Sequence, residues 1–240
     1  MGTDNIQVNK KEGRIKREEA TRNLRAVQWL ILSEGTKTEP NYFRGLAAHL
    51  NKANGGSLII DPKGLGENTK SLVKRVEEFF EYRDTLHNSK RIPYYKTIFV
   101  FDKDGFGANN FNGAVTIADK YPDSFTAWSN ESFEFWLCLH FEYFSDAKDR
   151  HWYNDKLTEI FRKKKLFTKR QNWDDDGKND PNIFQKILKA GGCYERAIKN
   201  AKKCFDAHAI NGIIHSPAKA NPATMVHKAV EALIEESKPN

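Results

Sequence analysis

AVQWLILS, Ala26 to Ser33, is a short, nearly continuous apolar run, and a carboxylate, Glu34, follows it directly. A run this short and this apolar predicts a strand buried on both faces, as in a parallel sheet covered by helices. Pro40 then opens a segment in which Tyr42, Phe43, Leu46, Ala47 and Leu50 recur at helical spacing, and proline suits the first turn of a helix. Asn54, Gly55 and Gly56 break that helix, SLII (Ser57 to Ile60) predicts a second strand, and PKGLGEN reads as a loop. Thr69 is placed to cap a second amphipathic helix carrying Leu72, Val73, Val76, Phe79 and Phe80 on one stripe.

TIFVF, Thr97 to Phe101, repeats the opening pattern, an apolar strand followed at once by acid, here the DKDG that begins at Asp102. Ala114, Val115 and Ala118 suggest a third helix, and SFTAWS (Ser124 to Ser129) a fourth strand ahead of the aromatic run FEFWLCLHFEYF. Strands alternating with helices imply an α/β fold with a mainly parallel four-stranded sheet, because parallel neighbours need crossover connections. Beyond Tyr143 only helices are expected, near Tyr153–Lys163, Ile183–Lys189, Tyr194–His208 and Pro222–Glu235, with QNWDDDGKNDPN (Gln171 to Asn182) as a polar loop between them. The expected organisation is a polar arm over 1–25, an α/β core over 26–143, and a helical appendage over 144–240 packed on that core.

The composition narrows the function classes. No apolar run approaches the roughly 20 residues that cross a bilayer, and the arm mixes Arg and Lys with Glu12, Glu18 and Glu19 and lacks an apolar segment, so neither a signal nor a transit peptide is expected. Cys138, Cys193 and Cys204 are odd in number and have no C-x-x-C spacing, which argues against a disulfide framework and a zinc site and fits the cytoplasm. The net charge of +7 favours a polyanionic partner. Locally, FRKKKLFTKR gathers Arg162, Lys163, Lys164, Lys165, Lys169 and Arg170 with no acid among them, a candidate surface for a nucleic-acid backbone or simply a solvated face.

Residues just past the carboxyl ends of parallel strands share one rim, where ligands of α/β sheets bind. Glu34 follows the first strand, Asp102 and Asp104 the third, and Asn130, Glu131 and Glu134 the fourth, so oxygen ligands from separate segments converge there. Crowded carboxylates raise one another's pKa and a hard divalent cation relieves the repulsion, which points to Mg²⁺ or Mn²⁺ as the expected cofactor. Within D-K-D both aspartates can face the same way and share one ion. An EF-hand reading of DKDGFGANNFNG fails at Phe106 and Gly113, where ligands are required. A phosphatase-type D-x-D-G, with Asp175 and Asp176 as its later acids, would open the fold, whereas here two βα units precede it. A plain surface turn explains Asp-Gly, but not the separate Glu34.

In this order, SEGTKTEPNYF (Ser33 to Phe43), FVFDKDGF, SNESFEFWLCLHFE (Ser129 to Glu142) and NPATMVHKAVEAL (Asn221 to Leu233) resemble the RloB-like family, a bacterial defence-associated group with a Toprim-like catalytic domain. The resemblance covers most of the chain. It implies a Toprim-like fold in which Glu34, Asp102 and Asp104 are catalytic and, with Glu134, hold the metal. Glu34 would serve in proton transfer or complete the metal site, and Glu39 and Asn130 would support the site. This chain has Glu131 where the family commonly has proline. Trp136 and His140 sit in an aromatic run that favours a core role. His227 is ambiguous; Asn221 with Pro222 reads as a helix start, and Thr224 gains a role only by resemblance.

The implied activity is a Mg²⁺-dependent nuclease acting on RNA, tRNA among the candidates, or on DNA, in antiphage defence by abortive infection. The alternative is a noncatalytic nucleic-acid-binding or signalling subunit beside a separately encoded ATPase. No G-x-x-x-x-G-K-[ST] occurs in the chain, so any ATP chemistry would come from that partner.

Overall fold

The computed structural model describes residues 28–56, 58–64, 66, 96–120, 122–210, 213 and 216–238, with 74, 77, 78 and 81 as isolated positions. The amino-terminal arm and the expected Leu72–Phe80 stripe lie outside the described residues.

Four strands, β1 (Gln28–Ser33), β2 (Ile59–Gly64), β3 (Lys96–Val100) and β4 (Ser124–Thr126), form an all-parallel sheet in the order β2-β1-β3-β4. Helix α1 (Thr38–Asn54) follows β1, and α2 (Ala108–Lys120) connects β3 to β4. The α/β architecture expected from the alternating pattern is therefore present. Successive side chains of a strand face opposite ways. Trp29, Ile31, Ile98 and Val100 enter one core layer, while Leu30, Leu32, Phe99 and Phe101 enter a second with Phe111, Ala114 and Ala118 of α2. Burial on both faces explains why the central strands are apolar without alternation.

Three strand expectations need correction. The second strand is shifted from the expected SLII: pairing begins at Ile59 and continues through Pro62 and Lys63 to Gly64, so the first three residues of the expected loop PKGLGEN are strand. Pro62 is tolerated because β2 is an edge, where a missing N–H leaves no ladder bond unmade. SFTAWS divides after Thr126, and Ser129–Asn130 form β5, which pairs antiparallel with β6 (Ala223–Thr224). Thus, among the described residues, one short strand lies beyond Tyr143.

The remaining helices are α3 (Phe133–Leu139), α4 (Arg150–Lys163), α5 (Ile183–Lys189), α6 (Tyr194–Ile210) and α7 (Val226–Glu236). Helix α4 starts earlier than expected because the Asp149 carboxylate accepts from the Trp152 amide as an N-cap. Helix α7 starts four residues later than expected from Asn221 and Pro222. Thr224 is engaged in the β5–β6 pairing, and its hydroxyl accepts from the Val226 amide at 3.2 Å. Gln171 to Asn182 is not merely a loop: Trp173–Gly177 form a π-helical turn around the fully buried Trp173. A Cβ at Gly177 would run into that indole, so the turn requires glycine. The core layer below β1 also takes in Tyr153, Phe161, Trp173, Phe184, Ala197 and Leu233, joining sheet and carboxyl-terminal helices without a break.

Candidate active site

Strand order places the site. The chain leaves β1 for β2 on one side, and β3 lies on the other side of β1, so β1 and β3 flank the point where an open α/β sheet forms its ligand crevice. Glu34, Gly35, Thr36, Thr38, Glu39, Gly66, Asp102, Asp104, Phe133, Glu134, Arg150 and Lys178 line a cleft of about 410 Å³ there.

Backbone bonds fix the rim. The Glu34 amide donates to the Val100 carbonyl at 3.2 Å, and its carbonyl accepts from the Gly66 amide at 3.1 Å. The Gly64 Cα faces the Gly35–Thr36 backbone so closely that a side chain there would collide with it. Past β3, Asp102 bridges to Ser129, the Lys103 amide donates to the Ser129 carbonyl at 2.8 Å, and the Asp104 amide to the Glu131 carbonyl at 3.1 Å. Asp104 adopts φ 41°, a left-handed conformation that Asp tolerates better than most residues, and so turns the chain at Gly105.

Two more acids come from helix starts. Glu39, in the first turn of α1, lies against Gly35, where any Cβ would strike its carboxylate. Glu134, in the first turn of α3, accepts from the Trp173 indole N–H at 3.4 Å and lies 3.7 Å from the Lys178 ammonium. Lys178 is in turn held by Asp174 at 2.7 Å, while its carbonyl accepts from the Thr38 hydroxyl. Such positions at helix N-termini favour negative charge.

Arg150 opens α4 and reaches both aspartates. Its Nη1 donates to Asp104 Oδ2 and its Nη2 to Asp102 Oδ2, each at 3.0 Å. Asp102 is 7% exposed, and its Oδ1 and the Arg150 Nε are buried without a hydrogen-bond partner. Burial pushes the Asp102 carboxyl well above the usual carboxylate range; Arg150 pulls it back, while Glu39 and Glu134 raise it further. Burial likewise pushes Glu39 up to about 7, with Glu134 and Glu34 adding to the effect. Burial opposes the charge on Arg150, but Asp102, Glu134 and Asp104 outweigh it and raise its pKa.

Glu34, Asp102, Asp104, Glu134 and Glu39 thus face one cleft. Among the described residues, no group of three or more His, Cys, Asp and Glu side chains is drawn together tightly enough to hold a metal ion. The donor chemistry nonetheless suits a hard cation: several carboxylates, two with raised pKa values, and one buried carboxylate oxygen without a partner.

Asn130 stands apart from the cleft lining, since its side-chain amide donates to the Pro217 and Ala218 carbonyls. His140 is a core residue, bonded to the Tyr42 hydroxyl and the Trp136 carbonyl. His227 is buried with Nδ1 2.9 Å from the Thr224 carbonyl. Lys163, Lys164, Lys165, Lys169 and Arg170 are exposed, whereas Arg162, also exposed, spends two of its N–H groups on the Gln171 carbonyl. Arg150 and Lys178 were not anticipated from the sequence. No local signal marked them: Arg150 precedes the expected helix start near Tyr153, and Lys178 lies in the run Gln171 to Asn182 that reads as a polar loop.

No helix among the described residues is long and apolar enough to cross a membrane. Neither the curated proteins nor the solved structures compared with the chain gives a match. The family model described as RloB-like protein matches residues 29–233, which is most of the chain. With that match running from β1 through the acidic cleft and into α7, the chain belongs to the RloB-like family.

Proposed function

We propose that this chain is a Toprim-like, Mg²⁺- or Mn²⁺-dependent phosphodiesterase that cleaves nucleic acid, RNA ahead of DNA, in antiphage defence. The observation that carries this reading is the convergence of Glu34, Glu39, Asp102, Asp104 and Glu134 on one cleft at the β1–β3 crevice. The acids come from three separate segments, the stretch from β1 into α1, the turn past β3 and the start of α3, and a surface turn at DKDG does not account for that.

A divalent cation, when bound, supplies Lewis-acid stabilisation of charge building on the phosphate. Asp102 and Asp104 would hold it, with Glu134 beside them. Glu34 or Glu39 would accept a proton from the attacking hydroxyl or water. Glu39, with a carboxyl pushed up to about 7, is the better matched to proton transfer near neutrality. Lys178 brings a positive charge to the same cleft.

The bridge from Arg150 to both aspartates favours a second reading, a subunit that binds nucleic acid without cutting it and works beside a partner ATPase. Cleavage of RNA and DNA panels with Mg²⁺ or Mn²⁺ separates the two. Wild type should cut, and Asp102→Ala and Glu34→Ala should each lose activity by a factor of roughly 10² or more, as for removal of a group acting in the transition state. Equal cleavage by both variants would sink the assignment, and binding without cleavage, with the ATPase present, would favour the second reading.

A further inference from the structure

Arg150 is an anomaly on its own helix. It occupies the first turn of α4, where the exposed backbone amides disfavour a cation, and its Nε is buried without a partner. The two bonds to Asp102 and Asp104, with the nearby charge of Glu134, offset that cost. The guanidinium lies between the two carboxylates that a shared cation would join, and it uses just one oxygen of each. Asp102 lines the cleft, and its Oδ1 is buried without a hydrogen-bond partner. The side chain is not locked in: one-third of its surface is exposed, and Asp104 is 44% exposed. An arginine with a planar fork suits both carboxylates and phosphate, so the same group can serve either partner.

Resting on the metal-dependent reading above, we infer that Arg150 is an exchangeable counter-ion. In the metal-free protein it bridges Asp102 and Asp104 and keeps their repulsion from opening the cleft. When Asp102 and Asp104 hold a divalent cation, Arg150 would leave them and its guanidinium would turn to a phosphate of the bound strand. At that point the amino end of α4, no longer facing its own arginine paired to acids, also favours the phosphate. The exchange couples the two ligands. Cation entry creates a phosphate contact that the metal-free protein lacks, and a phosphate that draws Arg150 away makes the aspartates available to the cation.

The test uses the full chain and two probes, Mn²⁺ followed by electron paramagnetic resonance and a phosphorothioate RNA oligonucleotide. Removing a competing cation should tighten metal binding, so Arg150→Gln is expected to bind Mn²⁺ roughly tenfold more tightly than wild type. In saturating Mn²⁺ the same variant should bind the oligonucleotide roughly tenfold more weakly. Arg150→Lys should fall between the two in Mn²⁺ affinity, because a single ammonium cannot bridge both carboxylates as the fork does. A purely structural Arg150 predicts that metal affinity falls or stays level in a variant that still melts cooperatively, and that result overturns the inference. If Arg150→Gln does not fold, equal Mn²⁺ affinity of Arg150→Lys and wild type overturns it as well. Should wild type and both variants bind no Mn²⁺, the metal-dependent reading falls with it; should wild type bind Mn²⁺ and cut while the variants match it, the counter-ion exchange alone falls.

Discussion

At the residue scale, buried titratable groups pull stability in opposite directions with pH. His140 is fully enclosed between Tyr42 and Trp136, and burial pushes its imidazole pKa down to about 4. The unfolded chain therefore binds a proton that the folded chain refuses as pH drops from 6.5 to about 4. Stability should fall across that window by on the order of 3 kcal/mol from this residue alone. Glu39 works the other way: its carboxyl is raised from 4.5 to about 7, so the folded chain holds the proton more tightly, and the stabilisation present below 4.5 is lost as pH rises through 7. Thermal melts between pH 4 and 8 check both signs. His140→Gln should flatten the acid side of the profile, and Glu39→Gln the rise in instability towards neutral pH; unchanged slopes would contradict the assigned environments. The residues also differ in how legible they were. Glu34, Asp102 and Asp104 could be picked out because a strand end fixes its next residue at the rim whatever surrounds it. Arg150 and Lys178 could not, since their approach depends on how α4 and the Trp173 turn pack, which no local pattern encodes. Asn130, read as a supporting candidate, donates to two backbone carbonyls of the 217–219 turn, a tie that no local pattern announces.

At the element scale, α4 links two charged regions. Arg150 in the acidic cleft and Lys163 beside the basic turn lie at opposite ends of the same helix, about 20 Å apart at 1.5 Å per residue. A strand engaging both would cover about six nucleotides at 3.4 Å each. The turn is built to project charge: Lys165 adopts φ 57°, the Arg162 bonds to the Gln171 carbonyl close the loop, and Phe161 and Phe167 stack edge-on at 5.0 Å beneath it. Replacing Lys163, Lys164 and Lys165 with Ala should weaken nucleic-acid binding without changing the melting temperature. It should also lower the slope of log K against log salt by about one for each lysine that contacts a phosphate. An unchanged slope would place the nucleic-acid path elsewhere. Arg162→Ala should behave differently and loosen the turn, because its guanidinium serves the backbone. Elements were legible in proportion to how much burial dictated them. β1 and β3 stand out because both of their faces are covered, whereas β2 is an edge whose Pro62 reads as a breaker. Trp173 was hidden because a single buried indole inside a run of Asp, Asn and Lys leaves no periodicity.

At the scale of the whole molecule, the two halves of the chain share one core and one cleft. Tyr42 of α1 meets Phe133 and Trp136 of α3 and, at 5.4 Å, Phe184 of α5, all edge-on. Gly45 of α1 faces Phe184 so closely that a methyl group would not fit. On the opposite layer Ala220, Ala223 and Met225 pack with Leu30, Phe99 and Trp128. The β5–β6 pair then joins Ser129, beside the DKD turn, to Thr224 through a hydroxyl bond of 3.0 Å. Cutting the chain after Tyr143 would strip Trp173, Ile183, Phe184, Ile187 and Val230, each fully buried, from that shared core. Each such side chain contributes about 1.5–3 kcal/mol by burial, so the five together are worth about 8–15 kcal/mol, which is as large as the 5–15 kcal/mol or so that holds a typical domain folded. A fragment of residues 1–143 is therefore expected to show no cooperative melt and to aggregate, although it retains every strand of the parallel sheet. A sharp unfolding transition for that fragment would show instead that the sheet and its first helices suffice. Even a folded fragment would lack Arg150 and Lys178, leaving five carboxylates facing a cleft with neither cation to balance them. The amino-terminal half supplies the acids and the carboxyl-terminal half the charges that oppose them, so fold and site depend on the same contact between the halves.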